Sequence, residues 1–149
     1  MAGTYRELRA WKQGVDLVLQ VYRETQNFPR TELYGLTDQI RRAAVSVPSN
    51  IAEGKGRSSD REFALFLSHA RGSLLELETQ LLIAGELGYL KKEKADELAA
   101  QTERLAKTLN ALLNVVKGKE RVGSVKSGTF LANDPVTSAR GRKASTTSN

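Results

Sequence analysis

The 149-residue chain has no cysteine, one histidine, one tryptophan and only three prolines. Without thiols there are no disulfides, thiolate metal sites or cysteine nucleophiles. The single imidazole, His69, has no second histidine to share a metal, and no third residue is arranged around it and Ser73 in a triad motif. Neither a cofactor nor a metal is expected. No stretch approaches the roughly 20 apolar residues that span a bilayer, so no membrane partner is expected either. Arg6, Glu7, Arg9 and Lys12 interrupt the first residues, which therefore lack the apolar region of a secretory signal, and the expected location is the cytoplasm. Period-two alternation is missing as well, which argues against strands.

The charge that is present is unevenly placed. The net value is +6, of which residues 118–149 carry +4: Lys119, Arg121, Lys126, Arg140, Arg142 and Lys143 against Glu120 and Asp134. Residues 1–117 therefore hold only +2, too little for a strongly basic folded surface. The same C-terminal segment is rich in Ser, Thr and Gly with few large apolar residues. It cannot bury enough surface to offset its ordering entropy, so 118–149 is expected to be a disordered basic tail. The remainder is long enough for one domain with a real core.

Within residues 5–117 the apolar spacing predicts four helices. Leu8, Trp11, Val15, Val18 and Tyr22 recur at steps of three and four, and Phe28-Pro29 ends that segment. A second helix is expected from an N-cap at Thr31, with the stripe Leu33, Leu36, Ile40, Ala43, Val47 and Ile51 and a kink at Pro48. Ser59 and Glu62 have capping-box spacing ahead of a third stripe, Phe63, Phe66, Ala70, Leu74, Leu77, Leu81 and Ala84, closed by Gly85, Gly88 and Tyr89. The fourth reads Ala95, Leu98, Thr102, Leu105, Leu109, Leu112 and Val116, with Gly118 as its C-cap. Joined by short connections, these pack as an all-α, antiparallel up-down four-helix bundle. Leu19, Val45, Leu75, Leu82 and Ile83 lie off the main stripes. Two readings of them stay open: a contact between subunits, or wide stripes that serve two neighbours inside one bundle.

Polar residues are also patterned. Gln39, Arg42, Ser46, Asn50 and Glu53 fall within a sector of roughly 80° beside the second stripe. His69, Ser73, Glu76 and Gln80 repeat the arrangement on the third helix. In an antiparallel hairpin Ser46 comes level with His69, and Arg42 with residues 71–76, so an Arg42–Glu76 ion pair is expected. Such a pair would make Arg42→Ala more damaging than Arg9→Ala. The plain alternative is a solvated flank of pairs within each helix, which contribute little. Glu76 and Glu78 diverge by about 200° and cannot act as a carboxylate pair, and the Glu-x-x-His repeat of di-iron bundles is absent. A non-enzymatic role is favoured over the alternative of a bundle enzyme whose Glu53, His69 and Glu76 converge from different helices. The loop Gly54-Lys55-Gly56-Arg57-Ser58-Ser59 is not a Walker motif. Gly54 as helix terminator and Ser59 as N-cap account for most of it, and Lys55 and Arg57 are left as candidate contacts to an RNA or DNA backbone.

The runs QIRRAAVSVPSNIAEGKGR (39–57) and REFALFLSHARGSLLELETQLLIAGELGYL (61–90), with LRAWKQGVDLVLQVYRETQNFP (8–29) ahead of them, resemble the four-helix-bundle proteins encoded in intervening sequences of 23S ribosomal RNA genes. The resemblance spans about residues 5–117. It implies an up-down bundle that assembles as a homo-oligomer, a pentamer, with similarity to accessory proteins of diversity-generating retroelements that bind nucleic acid and a reverse transcriptase. It implies no enzymatic activity. By position it assigns motif status to Arg42, Ser46, Pro48, Asn50, Glu53, Gly54, Ser73 and Glu76, which with Gln39 form the candidate polar seam.

Overall fold

The computed structural model describes residues 3–132, with side chains as far as residue 123. A 3-10 turn at Tyr5–Glu7 leads into α1 (Arg9–Thr25), and a second at Arg30–Glu32 precedes α2 (Leu36–Lys55); α3 (Asp60–Glu86) and α4 (Lys92–Ala132) follow. Every helix packs on its sequence neighbours and α4 closes on α1, while among the described residues the backbones of the diagonal pairs stay apart. Four helices joined by short connections in this way form an antiparallel up-down bundle, all-α among the described residues.

The core is leucine-rich: Leu67, Leu74 and Leu77 of α3 meet Leu98, Leu105 and Leu109 of α4, with Ile40, Val47 and Ile51 from α2. All but Leu67 belong to the expected stripes; Leu67 is buried where Phe66 was expected, Leu113 where Leu112 was, and Leu33 stays exposed ahead of α2, because each stripe is turned by about one residue towards its neighbours. Helix α1 differs. Its buried row is Ala10, Gly14, Leu17, Val21 and Thr25, whereas Trp11 and Val18 pack at the margin and Tyr22 is exposed. The bulkiest residues of α1 thus form its flank, because small ones permit the helix axis to come close. At Gly14 the reason is visible: a Cβ there would lie 3.2 Å from Cβ of Pro48. Pro48 is buried inside an unbroken α2, so its ring fills the α1–α2 contact although it donates no backbone hydrogen bond.

The helix ends follow local chemistry. Thr31 does not cap α2, which starts five residues later; the Glu32 carboxylate instead accepts the Leu36 N–H at 3.0 Å, favourable for an anion at a helix N-terminus. Ser59 Oγ accepts the Glu62 N–H at 3.2 Å, as the capping-box spacing requires. Past α3, Tyr89 N–H reaches the Ala84 carbonyl and Gly88 N–H reaches Gly85, with Gly88 at φ +79°. That is a Schellman ending, and glycine suits its left-handed residue.

Gly118 does not end α4. The helix continues to Ala132, and among the residues whose side chains are described the last buried one is Val116. The backbone thus stays helical for about four turns beyond residue 117, where a disordered tail was expected to begin. The part of the expected disordered tail from residue 133 onward lies outside the described residues.

Candidate functional site

The hairpin of α2 and α3 positions the polar residues. Ser46 Oγ and Ser73 Oγ are 2.8 Å apart across the two helices. Asn50 Nδ2 donates to both the Ser46 hydroxyl, at 2.9 Å, and the Ser46 carbonyl, at 2.8 Å. The three side chains thus satisfy one another at a half-buried boundary, where an unmet hydroxyl would carry a desolvation cost. One turn closer to the loop the helices touch: a Cβ on Gly54 would sit 2.7 Å from Phe66 Cβ and 3.1 Å from Phe63 Cδ1. Gly54 is thus a close-approach residue more than a terminator, since α2 runs one residue further, to Lys55.

The other seam candidates do not join this cluster. Arg42 makes no pair with Glu76; its Nε lies 3.0 Å from Asp38 Oδ2, one turn back on its own helix, and its side chain is 80% exposed. The nearer carboxylate wins because an i,i+4 partner is reached without bridging helices. Glu76 accepts from Gln80 Nε2 at 3.2 Å, Glu53 pairs with Arg57 at 2.9 Å, and Gln39 is exposed. His69 leans on the Phe66 ring, 5.8 Å between centroids, and Ser73 is engaged with Ser46. At the loop, Lys55 Nζ stands 5.7 Å from the Phe63 ring centroid and Arg57 Cζ 4.8 Å from that of Phe66. Both cations are thus held against aromatic faces.

A feature that the sequence pattern does not signal lies on the outer side of α2. Arg41 donates from Nε to Thr25 Oγ1 at 2.9 Å and stacks 4.6 Å from the Tyr22 centroid, clasping α1 to α2. Beside it a cleft of about 600 Å³ is lined by Tyr22, Tyr34, Thr37, Arg41, Arg42 and Val45. Tyr34 is 92% exposed, whereas Thr37 is buried and its hydroxyl has no partner. A second cleft, of about 590 Å³, lies between α3 and α4 over Leu81, Gly85, Ala95 and Ala99. On the side of α4 that meets α1, Lys94 reaches Glu24 of α1 and Glu97; the Glu97 hydrogen bond and charge, with Glu24, hold its ammonium above the usual 10.5.

The five apolar residues off the stripes, Leu19, Val45, Leu75, Leu82 and Ile83, are all exposed and none belongs to the buried core. Leu75 and Leu82, at 58% and 65%, stand on the side of α3 turned away from the core. Among the described residues no three metal-ligating side chains come together, and no helix is long and apolar enough to cross a membrane.

Comparison with known proteins places this geometry. The family model of the 23S rRNA-intervening sequence protein matches residues 6–111. A solved structure from Bacteroides thetaiotaomicron, described as a protein with unknown function from the S23 ribosomal protein family, superposes with a TM-score of 0.63. It is 19% identical and the match covers 70% of this chain and 97% of that one, which shows a shared fold. No curated protein sequence matches. The model match takes in α1, the α2–α3 hairpin with its Ser46–Asn50–Ser73 cluster, and most of the packed part of α4, and on that ground the chain belongs to the 23S rRNA-intervening sequence protein family.

Proposed function

We propose that this chain is a non-enzymatic cytoplasmic interaction protein that works as a homo-oligomeric scaffold. The observation that carries the reading is the outward face of α3, where Leu65, Leu75, Leu82 and Ile83 are all exposed along one helix. Several large apolar residues exposed on one helix face are a feature of association sites. The Ser46–Asn50–Ser73 cluster and the close approach at Gly54 fix α3 against α2, which holds that face in one orientation. The pentamer implied by the resemblance is the assembly we expect. Multi-angle light scattering of the purified chain at micromolar concentration tests it: a mass several times that of one chain is expected, and a monomer overturns the reading.

A second reading is nucleic-acid binding, of the kind the similarity to retroelement accessory proteins implies. It is favoured by α4, which stays helical from Val116 to Ala132, with Lys119 and Arg121 exposed and, among the described residues, without ion-pair partners. Together with Lys55 and Arg57 these would meet a phosphate backbone. Anisotropy with a labelled RNA hairpin and a DNA duplex reads this out: affinity that falls as salt rises supports it, and no binding at low salt removes it.

A further inference from the structure

Two exposed surfaces on different sides of the bundle are opposite in shape and in charge. The first is a ridge. On a wheel at 100° per residue, Leu65, Leu75, Leu82 and Ile83 of α3 fall within about 120°, opposite the buried Leu67, Leu74 and Leu77. Glu76 and Glu86 lie in the same sector, and between Gly72 and Leu90 there is no Lys or Arg at all. Glu86 has no ion-pair partner among the described residues. The second surface is the cleft on the outer side of α2. It is concave, its walls are Tyr22, Tyr34 and Val45, and its charge comes from Arg41 and Arg42 against Asp38 alone. Arg41 uses only Nε, on Thr25, and Arg42 only Nε, on Asp38, so the terminal nitrogens of both guanidiniums are free for a carboxylate. Exposed tyrosines beside arginines are the residue types that dominate binding hot spots.

Resting on the oligomer reading above, we infer that the acidic apolar ridge of α3 docks into the tyrosine–arginine cleft of a second copy of this chain. Leu75, Leu82 and Ile83 of one copy pack between Tyr22, Tyr34 and Val45 of the next, and Glu76 and Glu86 meet Arg41 and Arg42. The ridge belongs to α3, whereas the cleft is built from α1, α2 and the segment joining them. The contact is therefore head-to-tail, unlike the self-complementary contact of a two-fold dimer. After pairing, one copy keeps an unused cleft and the other an unused ridge, so association continues until a ring closes.

The test uses two full-length variants. A ridge variant, Leu75→Glu with Leu82→Glu, changes only exposed residues; a cleft variant, Tyr34→Ala with Arg42→Glu, does the same. Circular dichroism checks that each is folded, and Arg42→Glu alone replaces the cleft variant should the double change unfold it. Light scattering at equal micromolar concentration is expected to give monomers for each variant alone. Their one-to-one mixture is expected to give twice the monomer mass and nothing larger, because only the intact ridge of one and the intact cleft of the other can meet. A cleft variant that assembles like the unaltered chain overturns the inference while leaving the oligomer reading in place, and so does a mixture that stays monomeric. A monomeric unaltered chain overturns both.

Discussion

The two faces of α3 are made of the same residue type and have opposite fates. Inward, Leu67, Leu74 and Leu77 are almost completely removed from water; outward, Leu65, Leu75 and Leu82 keep more than half of their surface exposed. A leucine's burial is set by whether a neighbouring helix reaches it, and α3 has only two such neighbours, α2 and α4. What looks in the sequence like one broad apolar helix is a core wall on one side and an unpartnered surface on the other.

The sharpest way to break this contrast is to truncate one leucine from each face. Leu74→Ala is expected to cost about 2–5 kcal/mol in urea unfolding, since it leaves a cavity as well as losing transfer free energy. Its neighbour Leu75→Ala should change the stability of the dissociated chain by no more than about 0.5 kcal/mol. Equal losses at the two positions would mean that the outward face is packed within the single chain.

Two glycines sharpen the comparison at the next level. Gly54→Ala drives a Cβ against Phe66 Cβ, where no flexible side-chain end can yield, and should destabilise by about 1–3 kcal/mol. Gly72, on the outward face of α3, has nothing within 4 Å of an added Cβ. Gly72→Ala should therefore stabilise the free chain by about 0.5–1 kcal/mol through helix propensity. A fall in its melting temperature at concentrations where the protein is assembled would place a partner's backbone against that face.

Smaller effects test the polar seam. Ser46→Ala removes the shared partner of Ser73 and Asn50 and is expected to cost about 1 kcal/mol in denaturant, while Ser49→Ala, one helical step outward and exposed, should be neutral. Smallest of all is Arg42→Ala. The exposed pair with Asp38 gives it a stability effect of a few tenths of a kcal/mol, equal in unfolding midpoint to Arg9→Ala. A clear excess for Arg42 would revive the interhelical ion pair.

Much of the bundle was legible beforehand because spacing and capping are local. Ser59 with Glu62 and Gly88 with Tyr89 mark helix ends that depend on a handful of neighbouring atoms. The level pairing of α2 and α3 followed from counting outward from their loop, and it brought Ser46 beside Ser73 within a turn of the position expected. Helix α1 misled because a stripe weighted by size selects Trp11 and Tyr22, whereas close packing against Pro48 selects Gly14. Arg42 misled for a different reason: the sequence offers it Asp38 on its own helix and Glu76 across the hairpin, and only the folded geometry decides between them. The tyrosine–arginine cleft left no periodic trace, since Tyr22, Tyr34 and Arg41 come from three different segments.

By itself the sequence determined that there would be four amphipathic helices, where most of them end, and that thiol chemistry was excluded, because these depend on residue type and short-range spacing. Only the tertiary structure decided which apolar residues became core, which cations were already engaged, and that a ridge and a cleft were left unpartnered on separate sides. Those outcomes depend on where one helix lies against another, and no local pattern encodes that.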